Sequence, residues 1–260
     1  MQINSVKDKD FDIYKAYVTS FLAQWNVFNF YFNDDASVSV IGGLSIMNSE
    51  LIKQTGKLPF KFDTIDGFME INHCGLTTLE NAPKKVTGMF SCRNNKLTNL
   101  KGCPEHLESL YCSHNALETL DGCATSLRNL DVSHNPLQNL KGIATTITGA
   151  LDLSHCSLTS LAGSENTSCK ELDLSNQFLN GNIASIDLSS FPKKVGKLYC
   201  MHAGLSKNDL MLLPDDILEN TNIMGDFTKD DLRHALEMKK LNEKLQVNLP
   251  ENQIAKRNKL

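Results

Sequence analysis

Leucines recur along this chain at a spacing that no isolated helix or sheet would require. Leu51, Leu76, Leu97, Leu117, Leu137, Leu158, Leu179 and Leu205 are separated by 25, 21, 20, 20, 21, 21 and 26 residues. A second apolar row runs in step, seven residues ahead: Leu44, Met69, Phe90, Leu110, Leu130, Leu151, Leu172 and Leu198. Such a period, sustained over eight units, marks stacked structural repeats, each burying its apolar side chains only against its neighbours.

The stretch Leu107–Leu120 (LESLYCSHNALETL) fits L-x-x-L-x-L-x-x-N-x-L-x-x-L with Cys112 at the sixth position, and Leu127–Leu140 fits with Val132 there. We number template positions one to fourteen. Positions four and six lie two apart, so both point inward from a short strand, while three, five and seven point outward. Each unit buries about five apolar side chains, worth about 1.5–3 kcal/mol apiece once neighbours are stacked on both sides. Asn95, Asn115 and Asn135 fall at position nine, where an amide can serve main-chain groups that a tight turn leaves unpaired. About ten residues remain for the return path. They are too few for a long helix, so extended or 3₁₀ segments are expected there.

These observations imply an α/β repeat fold: a leucine-rich-repeat solenoid of about eight short 20–21-residue rungs with a parallel sheet on its concave face. The expected organisation is a helix-plus-hairpin cap over residues 1–43, the solenoid over 44–205, and a helical cap with a basic tail over 206–260. Phe11, Tyr14, Tyr17, Val18, Phe21 and Leu22 recur at helical spacing within 8–25, and VFNFYF and SVSVIGG flank the turn residues Asn33, Asp34 and Asp35. At the other end, Thr228 with Asp230 and Asp231 starts a helix expected to reach about Gln246, with Leu232, Leu236, Met238, Leu241 and Leu245 as its stripe. Pro250 ends that pattern, and Ala255–Leu260 is expected to be mobile.

The eight cysteines fit this frame. Cys92, Cys112 and Cys200 take position six, Cys74 and Cys156 replace the position-nine Asn, Cys103 and Cys123 share one return-side position, and Cys169 takes position one. All are expected to be reduced and mostly buried, as small hydrophobes. The opening MQINSVKDKDFD lacks the basic-then-apolar layout of a secretory signal, and no stretch approaches the length of a membrane span. A cytoplasmic location is therefore expected. The net charge of −4 argues against nucleic acid as a partner.

The stretch VTGMFSCRNNKLTNLKGCPEHLESLYCSHNALETLDG resembles the short leucine-rich-repeat proteins encoded by tailed bacteriophages, whose units read V-x-G-x-F-x-C-S-x-N-x-L-T-S-L-E-G-A-P. The resemblance extends upstream through KLPFKFDTIDGFMEINHCGLTTLENAPKKV and covers residues 36–205. It implies a role inside an infected bacterium and names no target. Bacterial effectors with L-P-x-x-L-x-x-L-x-V-x-x-N units are loosely similar from Cys103-Pro104 onward. Their ligase activity is not carried over, because only 55 residues follow Leu205 and none is cysteine.

Function is then sought on outward positions. Position five reads Glu70, Ser91, Tyr111, Asp131, Asp152, Asp173 and Tyr199, an acidic row over three rungs that Glu171 extends. Carboxylates about 5 Å apart repel, and a basic partner would relieve that repulsion and associate faster. L-D-L-S is also simply a common way to write this strand. Phe68, Met89, Arg93, Tyr111, Tyr199 and Met201 add residue types enriched at binding hot spots. The expected partner-binding set is Phe68, Met89, Arg93, Tyr111, Asp131, Asp152, Glu171, Asp173 and Tyr199. Five histidines (His73, His114, His134, His155, His202) fall at position eight, where a metal is conceivable beside Asp131 and Asp152, but position eight reads more simply as a solvated turn.

No P-loop, G-x-S-x-G, G-x-G-x-x-G or H-E-x-x-H is present. The expectation is a non-enzymatic protein-binding module without cofactor or metal, gripping a host or phage protein that carries a basic patch. A phage scaffold component and an enzyme with a site on the His/Asp rows are the alternatives.

Overall fold

The computed structural model describes residues 4–247. Nine strands stack in parallel, each one turn of a solenoid: Leu44–Met47, Met69–Asn72, Met89–Ser91, Ser109–Tyr111, Asn129–Asp131, Ala150–Asp152, Ser168–Asp173, Lys194–Cys200 and Asn222–Gly225. They are rungs one to nine below. Adjacent rungs align position four on position four throughout, from Leu44 against Met69 to Leu172 against Leu198. All eight of these side chains are buried. Rung nine, with Ile223 against Leu198, extends the eight read from the leucine spacing.

The first eight strands leave the sheet through the same backbone conformation. Position eight is left-handed on the first eight rungs: Asn48, His73, Asn94, His114, His134, His155, Asn176 and His202 have φ between 52° and 58°. Asn and His are enriched in that region, which β-branched side chains avoid. Backbone conformation is thus the first reason for five histidines at one template position. Position nine then closes the turn. The Asn115 amide donates from Nδ2 to the Cys92 and Cys112 carbonyls (2.9 and 3.0 Å), and its Oδ1 accepts from Leu97 N–H (3.0 Å). Asn95 and Asn135 repeat these bonds one rung to either side. Gln177 makes the equivalent pair, to the Leu153 carbonyl and from Leu158 N–H. Cys156 supplies only the donor half, its Sγ lying 3.2 Å from the Val132 carbonyl.

The difference between 20- and 21-residue units lies just before the strand. Ile147 is level with Leu127 and Leu151 with Leu130, so three residues, Thr148, Gly149 and Ala150, stand against two, Arg128 and Asn129. A Cβ on Gly149 would stand 2.8 Å from the Arg128 carbonyl oxygen, so only glycine lets this extra residue lie flat. The longer gap between rungs seven and eight is filled by a small antiparallel hairpin, Phe178–Leu179 with Asn182–Ile183, whose Phe178 and Ile183 are exposed.

At the amino end, helix Asn4–Gln24 buries Val18 and Leu22 and sets Trp25 5.9 Å from the Phe60 ring. Strands Phe30–Phe32 and Val38–Ile41 form the expected hairpin. Its second strand continues in parallel onto Phe62–Asp66 and Lys85–Val86, so the segment founds a second sheet and joins the return side of the solenoid. At the carboxyl end, helix Lys229–Val247 begins at Thr228, whose Oγ1 accepts from Asp231 N–H while Asp231 accepts from Thr228 N–H. Ala235 is buried and Leu232 and Leu236 pack on the core, whereas Leu241 and Leu245 are exposed. Pro250 and Ala255–Leu260 lie outside the described residues. No described helix is long and apolar enough to cross a membrane.

Two expectations are corrected. Cys92 and Cys112 are joined as a disulfide, their Cα atoms 5.0 Å apart. Twenty residues of sequence separate them, but that is one solenoid turn, so position six on adjacent rungs falls within disulfide reach. The pair withdraws part of the argument for a reducing compartment. The other six cysteines are free, five of them buried and Cys123 half-buried. Burial pushes the Cys123, Cys156, Cys169 and Cys200 thiols up to about 12.

Ser113, read from the template as an outward residue of a solvated face, is buried, and its Oγ accepts from Arg93 Nε at 3.2 Å. Arginine from the preceding rung covers it, so Ser113→Ala is not a neutral substitution. Asn115→Ala is expected to lower stability by about 1–3 kcal/mol, since it strands main-chain groups inside the stack. Glu118→Ala, at an exposed residue three positions on, should shift the midpoint little. A denaturant titration of both variants that gave equal losses would show that the amide ladder does not hold the rungs.

Candidate interaction surface

Outward positions three, five and seven form the concave face, and its two halves differ in chemistry. On rungs one to four the polar groups pair with one another. Ser91 Oγ donates to Asn72 Oδ1 (2.8 Å), Arg93 N–H to the same oxygen (2.9 Å), and Ser45 Oγ to Glu70 Oε2 (3.1 Å). Phe68 is exposed and its ring lies across Gly43 of the first rung, where a Cβ would displace the ring. Met89 is half-buried beside it in the same outward row.

Arg93 links this half to the next. Its guanidinium lies over the Tyr111 ring, 4.5 Å from the centroid, and Nη2 donates to Asp131 Oδ2 at 2.8 Å. Asp131 has only 16% of its side chain exposed, so the pair is sheltered from water. Tyr111 is therefore half-buried beneath an arginine of its own chain rather than an open anchor. Asp131 is a neutralised member of the acidic row.

The row also has a local task. Asp131 Oδ1 accepts from Ser133 N–H and Oγ, Asp152 Oδ1 from Ser154 N–H and Oγ, and Asp173 Oδ1 from Ser175 N–H. The D-x-S pattern is thus an Asx turn that leads each strand into its left-handed residue. That accounts for an acid at position five but consumes only one oxygen of each carboxylate. Asp152 Oδ2 and Asp173 Oδ2 accept no hydrogen bond from any described residue. Burial pushes the Asp152 carboxyl up, Ser154 pulls it back, and the charges of Asp131 and Asp173 raise it further. Glu171 is exposed at position three of the seventh rung, level with Lys197. Lys197 Nζ lies 4.4 Å from the centroid of Tyr199, which is level with Asp173. Ala150, Leu151, Asp152, Glu171, Asp173 and Tyr199 line a hollow of about 270 Å³. A second, of about 510 Å³, opens at the strand entrances between Arg128, Thr148, Gly149 and Lys170. Met201 stands 52% exposed at the end of the eighth rung.

Of the nine residues singled out from sequence, the structure brings Arg93, Tyr111 and Asp131 into one contact and Asp152, Glu171, Asp173 and Tyr199 around one hollow. Phe68 and Met89 stand apart near the amino end. The Arg93–Asp131 bond spans 38 residues and two rungs, and only the position-seven register of Arg93 could have hinted at it.

His114, His134 and His155 stack face to face, centroids 4.1 and 4.2 Å apart and planes 11° and 9° from parallel. Stacked rings present faces, not nitrogens, to one another. Among the described residues no group of three or more His, Cys, Asp or Glu side chains is placed to hold a metal ion. Burial, then the neighbouring His114 and His155, lowers the pKa of His134 against the opposing pull of Asp131. The folded state therefore binds its proton more weakly than the unfolded chain does. Stability is present above the ordinary histidine value of about 6.5 and is lost as pH falls below it toward the lowered folded value. His134→Asn keeps a residue that tolerates the left-handed turn and removes the titrating ring. Thermal melts between pH 8 and 5 are expected to decline less steeply for this variant than for wild type. Identical slopes would mean that the ladder does not contribute to acid sensitivity.

No family model, no curated protein and no solved structure matches this chain.

Proposed function

We propose that this solenoid is a non-catalytic binding module that grips a basic protein across the carboxyl-terminal half of its concave face. The observation that carries the reading is the pair of half-buried carboxylates, Asp152 and Asp173, each with one oxygen unmet by any described residue, beside the ring of Tyr199. Unneutralised, partly desolvated charge on a rigid face favours a partner that brings the opposite charge, and it speeds encounter as well as strengthening the complex. The parallel sheet supports this role, because each outward side chain is held by a strand locked on both sides. The resemblance of the repeats to those of tailed bacteriophages makes a host or phage protein within an infected bacterium the proposed setting.

Asp152→Asn with Asp173→Asn tests the reading better than charge reversal. The amide retains an oxygen for Ser154 and Ser175, so the turns survive while the charge is lost. Immobilised wild type, the double variant and a return-side control, Lys141→Glu, are each exposed to bacterial lysate at low and moderate salt. A protein retained by wild type and the control, and lost from the double variant, is the expected result, with retention falling as salt rises. Equal retention by all three would refute binding through the acidic, carboxyl-terminal half of the concave face.

A further inference from the structure

Resting on that reading, we infer that the hollow between Asp152, Glu171, Asp173 and Tyr199 is a slot for an arginine side chain presented by the partner. The chain carries its own template two rungs away. There, Tyr111 and Asp131 are level on adjacent strands, and a guanidinium lies over the ring while bonding the carboxylate. Tyr199 and Asp173 repeat the arrangement, level on the seventh and eighth rungs with the order of ring and acid reversed. No arginine of the described chain reaches this second pair.

Three features favour arginine over other cations. Asp152 and Asp173 are level on adjacent parallel strands, so their outward oxygens are separated by roughly the 4.8 Å rung spacing. A planar fork with five donors can span two such carboxylates, whereas an ammonium is a compact point charge. The wall formed by Ala150 and the Tyr199 ring suits the flat, weakly hydrated face of a guanidinium. Third, a metal would need converging ligands, and no described group of three provides them. Lys197 lies on Tyr199 but is not among the residues lining the hollow, so the incoming guanidinium would share the ring with it rather than find it bare. The raised Asp152 carboxyl agrees with a site awaiting its counter-charge.

The probes are Nα-acetyl-arginine methylamide and its lysine counterpart, added at millimolar concentration to isotope-labelled protein and followed by NMR. Saturable shifts at Asp152, Asp173 and Tyr199 are expected with the arginine probe, and several-fold weaker ones with lysine. Asp173→Asn should weaken the arginine probe about tenfold, the scale of one charge-assisted hydrogen bond. Arg93→Ala supplies an internal control: emptying the template should create a second set of saturable shifts at Tyr111 and Asp131. Shifts spread evenly over surface acids such as Glu105 and Glu118, equal shifts for both probes, or indifference to Asp173→Asn would overturn the slot. A captured partner lost on Met89→Lys yet unaffected by Asp173→Asn would also overturn it, while leaving the concave face as the interface. Saturable arginine binding without any captured protein would support the slot and count against the wider reading.

Discussion

Every rung of this molecule must leave its strand within two residues and turn across the end of a closely packed stack. The turn puts main-chain groups where water cannot reach them, and an unpaired buried donor or acceptor is among the more expensive defects a fold can contain. Two neighbouring template positions answer that constraint. On the first eight rungs position eight takes the left-handed conformation that redirects the chain, and on rungs three, four, five and seven position nine supplies an amide that bonds one rung's carbonyls and another's N–H. The apolar rows could slide or tilt relative to one another without these bonds. With them, each inward side chain has one register, and so does each outward one. A concave face made of short strands, three residues long in several rungs, is held in register for that reason.

The same turn explains residues that look functional when read one at a time. Histidine recurs because it tolerates positive φ, and stacking follows from the rung spacing. Aspartate recurs at position five because an Asx turn eases entry into the left-handed residue. Neither row is evidence of a site by recurrence alone. What distinguishes Asp152 and Asp173 is what remains after the turn is served: a second carboxylate oxygen each, partly buried, in a row whose first member has been neutralised by Arg93.

The core was legible in the sequence because position four carries a large apolar residue at every rung, and burial of that row follows from its spacing alone. Rung nine was not, because Ile223 follows a 25-residue interval holding a 3₁₀ turn and the short helix Asp215–Asn220, with no asparagine turn to mark it. The amino-terminal hairpin was expected, but its parallel continuation onto Phe62–Asp66 depends on a sheet whose other strands are only two to five residues long. Local alternation cannot foretell such a sheet. The acidic row could be read as a row, but its neutralisation at one end could not. That depends on the reach and direction of one long side chain across two rungs, which periodicity does not encode. The Cys92–Cys112 pair was missed for a different reason: both were placed at position six and read as separate small buried hydrophobes, although in a solenoid twenty residues return almost to the starting point.

The contrast between the two halves of the concave face follows from these placements. In rungs one to four, serines and amides at outward positions satisfy each other, and the exposed apolar surface is carried by Met47 and by Phe68, the latter packed against a glycine. A partner landing there would exchange existing hydrogen bonds for new ones, with little net gain. In rungs six to eight, carboxylates are held apart by the strands that carry them and cannot move to relieve their repulsion. The rigidity that fixes the core also prevents the surface from relaxing, so the unfavourable field persists in the free protein. A cation from outside removes it at no cost in reorganising the sheet, which is why binding energy should concentrate there rather than spread along the solenoid.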